Sequence, residues 1–188
     1  MDFRKSFNDK IILVTGGAGA IGSNLSRALA DAGAAKVIIL DDLSASYSWN
    51  IPNLPNVLFV KGSITNDVDL KRVFHEKPDY IFHLAAFFAN QNSVDYPERD
   101  LLVSQLGTVK MLEHAVLQGG IQRFVYAGSG CAIYGAQAPL PLKEEFISMH
   151  LSTPYQISKM AGELYCNCLL YTSPSPRDIT PSRMPSSA

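Results

Sequence analysis

The chain has 188 residues, is 47% hydrophobic and 18% charged, and carries a formal net charge of −1. Its length fits one domain with a sizeable core, and so even a charge balance gives no footprint for nucleic acid. Met1-Asp2-Phe3-Arg4-Lys5-Ser6 lacks an apolar signal region, no apolar run approaches membrane-spanning length, and Cys131, Cys166 and Cys168 form neither a C-x-x-C pair nor a metal-ligand spacing, so a reduced, cytoplasmic chain without membrane, nucleic acid or metal is expected.

In chain order, Ile11–Thr15 reads as a first strand. It runs into Gly16-Gly17-Ala18-Gly19-Ala20-Ile21-Gly22, which opens an apolar-periodic helix over Ile21–Ala32. A glycine-rich turn between strand and helix suits a phosphate, because the helix N-terminus offers unpaired N–H groups and partial positive charge and glycine allows close backbone approach. Lys36–Asp41 is a second strand and Val57–Lys61 a short third one. Asp67–Glu76 reads as a helix capped by Asn66 or Asp67. Tyr80–His83 is strand four, leading into Leu84-Ala85-Ala86. A long helix is expected over Pro97–Leu117, ended by Gly119-Gly120, then strand five over Arg123–Ala127 and a last helix from Pro154 or Tyr155. Continuous apolar strands such as Val37-Ile38-Ile39-Leu40 imply burial on both faces. The expected fold is a doubly wound α/β parallel sheet with right-handed crossovers.

Two further features carry chemistry. Asp41 follows Gly22 by 19 residues; at the end of strand two a carboxylate can accept both ribose hydroxyls of an adenosine. No Lys or Arg lies between Asp41 and Val60 to welcome a 2′-phosphate, which favours NAD over NADP. In Tyr155-Gln156-Ile157-Ser158-Lys159, Tyr155 and Lys159 stand at i and i+4 and share a helix face. A neighbouring ammonium favours the phenolate and suits the tyrosine to general-base work.

Together these residues resemble the extended short-chain dehydrogenases/reductases, specifically the NAD-dependent epimerase/dehydratase group acting on nucleotide sugars. The resemblance covers about Lys10–Asn167, through the G-x-x-G-x-x-G turn, Asp41, Phe82-His83-Leu84-Ala85-Ala86, Ile133-Tyr134-Gly135 and Tyr155-x-x-x-Lys159. It implies a Rossmann-type sheet. Gly16, Gly19 and Gly22 would shape the pyrophosphate site, with Ala20 and Ile21 amides near the phosphates. Asp41 would hold the adenosine ribose, and Ser63 and Ile64 would flank adenine, with serine where the group has an acid. Leu84, Ala85 and Ala86 would line the cofactor near its nicotinamide ribose, Lys159 would bind that ribose, and Tyr155 would take a proton from a sugar hydroxyl.

The third catalytic position falls on Gly130, so a bulge would have to bring Ser129 into place to polarise the substrate oxygen. Ser104 stands where the group often has Asn, and Cys131 reads as an acid/base or, more plainly, as a small buried thiol. Gly130-Cys131-Ala132 lacks the carboxylate pair of the dehydratases, which puts epimerisation ahead. An NAD-dependent nucleotide-sugar epimerase is therefore the leading expectation. A sugar-nucleotide reductase or dehydrogenase using NAD(P), and a non-catalytic dinucleotide-binding module, stay open beside it. The resemblance also implies a homodimer of the full-length protein and a nucleotide-sugar site largely in a C-terminal third. On that reading the chain is an N-terminal fragment without the last strands and substrate domain: 1–167 is an incomplete NAD-binding domain, and the Pro/Ser-rich 168–188, similar to translated sequencing-adapter DNA, is a non-native or disordered tail.

Overall fold

The structure, a computed structural model, describes residues 6–87, 90–130, 134, 138–143, 145–148 and 150–172. Five strands, β1 (Ile11–Thr15), β2 (Lys36–Asp41), β3 (Val57–Lys61), β4 (Tyr80–His83) and β5 (Arg123–Tyr126), form one parallel sheet in the order β3-β2-β1-β4-β5. The central β1 pairs Leu13 with Ile38 on one side and with Ile81 on the other. The order reverses direction at β1, so the loops after β1 and β4 diverge at the carboxyl edge of the sheet and leave a crevice there.

Period-two alternation explains why the strands are apolar throughout. Leu13, Ile38 and Leu40 face one layer with Leu70, Met111 and Phe124, whereas Ile12, Val14 and Val37 face the other with Leu29 and Ala30. Helix α1 (Ala20–Asp31) covers the second layer; α2 (Asp67–Phe74), α5 (Gly107–Gln118) and α6 (Pro154–Thr172) cover the first. Asn66 caps α2 by accepting the Val68 N–H at 2.8 Å, and Gly119 ends α5 at φ +64°.

The structure departs from the sequence expectation in three places. Asn90–Asp95 forms a short polar helix, α3, whose sequence carries no apolar period. The long helix from Pro97 is not uniform: α4 (Pro97–Asp100) passes through a π-helical stretch, Leu101–Leu106, before α5. The final helix does not stop near Cys168 but continues to Thr172, because Leu169 still packs against the first core layer.

Candidate functional site

The glycine turn is built around two requirements. Gly16 sits at φ +68°, and a Cβ there would lie 2.9 Å from the Ala85 nitrogen; a Cβ on Gly22 would collide with the Gly16 carbonyl oxygen. Any side chain at either position would force apart the turn, α1 and the loop after β4. No side chain caps α1 at Gly19, and no acidic residue lies in its first turn, so its N-terminal N–H groups have no side-chain acceptor from the helix itself.

Asp41 stands at the end of β2, beside the glycine turn. Its side chain is 9% exposed. Oδ2 accepts the Ala18 N–H at 3.0 Å, and Oδ1 accepts the Leu43 N–H at 2.9 Å and the Ser46 hydroxyl at 2.7 Å. One carboxylate therefore ties the glycine turn to the loop after β2, and holds Leu43 in the left-handed region at φ +62°. Ser63 is occupied locally: its N–H donates to Asp69 Oδ2 and its hydroxyl meets Thr65 Oγ1 at 2.9 Å. Ile64 is 4% exposed and belongs to the core.

The loop after β4 is locked by a buried chain of hydroxyls. The Thr108 hydroxyl donates to the Ser104 carbonyl at 2.8 Å, so its oxygen accepts from His83 Nε2–H at 3.0 Å. His83 Nδ1 then accepts the Thr15 hydroxyl at 2.7 Å, and Thr15 Oγ1 accepts the Ala85 N–H at 3.3 Å. His83 is thus a structural neutral imidazole, and burial pushes its pKa from 6.5 down to about 3. Unfolded chains take up this proton below 6.5 while the native state refuses it, so the stability it contributes is present above 6.5 and is lost as the pH falls toward about 3. Urea unfolding from about pH 7 to about pH 4 should show stability dropping by about 1.4 kcal/mol per unit from this group, and His83→Gln should flatten that slope. An unchanged slope in the variant would overturn this account of His83.

The third part comes from α6. Thr153 caps the helix, Pro154 is its first residue, and the Tyr155 N–H donates to Ser93 Oγ of α3 at 3.0 Å. Lys159 is 4% exposed. Its Nζ donates to the Ala127 carbonyl beyond β5 at 2.8 Å, and lies 4.9 Å from the Tyr126 ring centre and 5.9 Å from that of Tyr155. Burial lowers the Lys159 pKa to about 8, opposed by the nearby charge of Asp100. Burial likewise raises the Cys166 thiol to about 12, so it is an inert core residue.

Sequence reasoning missed what steadies Lys159. Asp100 is fully buried; Ser104 Oγ donates to its Oδ1 at 3.1 Å and Ser158 Oγ to its Oδ2 at 2.5 Å. Ser104 Oγ also accepts the Phe87 N–H at 3.1 Å, and Gln105 Nε2 donates to Ser158 Oγ at 3.0 Å. The i, i+4 run of Asp100, Ser104 and Thr108 was the available signal: three polar side chains one turn apart along one face of the helix.

Gly16, Gly19, Ala20, Ile21, Gly22, Asp41, Leu84, Ala85, Ala86, Tyr155 and Lys159 thus all stand at the carboxyl edge of the sheet. Ser129 is half-buried, two residues beyond the Ala127 carbonyl that holds Lys159. Cys131, Ile133 and Gly135, and with them the bulge expected to place Ser129, lie outside the described residues, as does 173–188. Among the described residues no helix is long and apolar enough to cross a membrane.

This sheet order, glycine turn and acidic β2 terminus define a dinucleotide-binding α/β protein of Rossmann type. The sequence matches the NAD dependent epimerase/dehydratase family over residues 12–169, and the chain belongs to that family, whose members are NAD-dependent enzymes. It is 41% identical over 160 residues to the UDP-glucose 4-epimerase of Mycolicibacterium smegmatis, covering 82% of this chain and 50% of that protein. The structure of epimerase Mth375 from Methanothermobacter thermautotrophicus superposes with a TM-score of 0.91 at 56% identity, covering 96% of this chain and 53% of that one. The Bordetella bronchiseptica enzyme WbmF in complex with NAD+ superposes with a TM-score of 0.79 at 30% identity, covering 91% and 48%. The chain spans about half the length of each.

Proposed function

We propose that this chain is the cofactor-holding part of an NAD-dependent nucleotide-sugar epimerase, with a UDP-hexose as substrate. The observation that carries the reading is the placement of Lys159 against Tyr155 beside the crevice that Gly16, Gly22 and Asp41 shape. The site fits a dinucleotide: an uncapped helix N-terminus for pyrophosphate, no room for side chains where the phosphates approach, and a carboxylate for the ribose. NAD, when bound, supplies a reversible acceptor for the hydrogen leaving a sugar carbon. Tyr155 takes the proton of the adjoining hydroxyl and later returns it. Lys159 stabilises the phenolate and donates to the nicotinamide ribose, and Leu84, Ala85 and Ala86 line that end and exclude water. Ser129 polarises the substrate oxygen. Ser63 and the Ile64 main chain border adenine. In this reading the cofactor domain reaches the end of α6.

Similarity to a UDP-glucose 4-epimerase supports the substrate class. The test is interconversion of UDP-galactose and UDP-glucose by the full-length protein in the presence of NAD, followed by chromatography. Net, stoichiometric accumulation of reduced nicotinamide, without return to the epimeric sugar, would replace the epimerase reading with a dehydrogenase.

The full-length protein is proposed to be a homodimer. Leu101, Leu102 and Leu106 on the π-helical stretch and Ile157 and Leu164 on α6 are 41–56% exposed on helices that pack together, an apolar surface suited to a second copy. Ile157→Glu should shift the protein to a monomer in sedimentation analysis. A wild-type protein already monomeric at micromolar concentration would overturn this.

A further inference from the structure

Between β2 and β3 lies a feature that none of the motifs accounts for. Tyr47 and Trp49 stack with ring centroids 4.2 Å apart and planes 9° from parallel, yet remain 58% and 75% exposed. Two large aromatic faces held together in water leave apolar outer surface uncovered. A tight turn over Ser48–Asn50 fixes them, with the Asn50 N–H donating to the Tyr47 carbonyl at 3.0 Å. Both ends of this segment are tied to the dinucleotide site. The Ser46 hydroxyl donates to Asp41 Oδ1 at 2.7 Å, and Asn50 Nδ2 donates to the Ala18 carbonyl at 3.0 Å.

We propose that the Tyr47–Trp49 stack is a platform for the adenine base of the bound dinucleotide, an inference that rests on the cofactor reading above. A base bonded to the ribose that Asp41 takes lies close to a loop anchored on that same carboxylate. A flat, preorganised aromatic surface offers it a π face without loss of side-chain freedom on binding. No Lys or Arg occurs between Asp42 and Phe59, so this contact is stacking and not charge pairing.

Trp49 is the single tryptophan of the chain, and its emission reports on the platform directly. The 188-residue chain is titrated with NAD, with AMP and with nicotinamide mononucleotide, by fluorescence and by calorimetry. NAD and AMP should quench Trp49 and nicotinamide mononucleotide should not. Trp49→Ala should weaken NAD and AMP on the order of tenfold, with little dependence on salt, while Trp49→Phe retains most of the affinity. Because Trp49 is largely exposed, both variants should keep the wild-type circular dichroism. If NAD binds, but emission is unchanged and Trp49→Ala binds equally well, the platform is wrong and the cofactor reading stands. If the wild-type chain binds no NAD, both fall.

Discussion

Asp41→Ala is expected to cost the chain both its dinucleotide and part of its fold. The carboxylate accepts three hydrogen bonds from Ala18, Leu43 and Ser46, and bonds to a charged acceptor are each worth about 1.5–3 kcal/mol, of which overlapping geometry leaves a net loss of about 2–4 kcal/mol. The urea midpoint should fall accordingly. NAD affinity by calorimetry should fall about a hundredfold, since a carboxylate bonding two ribose hydroxyls is a charge-assisted pair. Asp41→Asn separates the two effects: it keeps one acceptor oxygen for the loop but loses the charge, so stability should recover more than affinity. Wild-type NAD affinity in a folded Asp41→Ala protein would remove Asp41 from the cofactor site.

Tyr155→Phe should act on turnover alone. The change deletes one oxygen from a half-buried ring, while the helix that carries it stays anchored through the Tyr155 N–H on Ser93 and through Ser158 on Asp100. A positioned general base contributes about 10²–10⁴-fold, so in the full-length protein sugar interconversion should drop by at least about a hundredfold relative to the parent, with NAD affinity essentially unchanged. Equal turnover in the variant would dismiss Tyr155 as the base; lost NAD affinity would make it a binding residue instead.

The strands were legible because burial on both faces writes them as unbroken apolar runs, and Ile11–Thr15, Lys36–Asp41, Val57–Lys61 and Tyr80–His83 stand where the sequence reading puts them. The glycine turn was legible because its backbone geometry demands particular residue types, and the position of Asp41 because a carboxylate ending an apolar run marks the end of a strand. Asp100 was not, since its partner Ser158 lies 58 positions away and nothing in either residue alone announces the other. Helix α3 was hidden for another reason: Asn90–Asp95 is polar and short, and its Asn90 and Ser93 are fixed by Thr153 and Tyr155 of α6, not by an apolar face of its own. Tyr47 and Trp49 gave no signal in the sequence, because exposed aromatics carry no period.

The π-helical stretch at Leu101–Leu106 has a bearing on which insertions and deletions this chain can tolerate. Backbone dihedrals stay helical on both sides of it, at Asp100 and at Gly107, so it amounts to one surplus residue threaded into a continuous helix. Excising a single residue there would restore ordinary i to i−4 bonding and give a more regular helix. It would leave Asp100 in phase with α5; keeping the residue and rewinding the stretch to ordinary bonding would instead turn everything upstream by about 100° relative to α5, swinging Asp100 away from Ser158 and releasing the segment that holds Lys159. The irregularity works as a phase setting: the helix gives up some local regularity so that Asp100, on one side of the defect, and Thr108, on the other, address the same edge of the sheet.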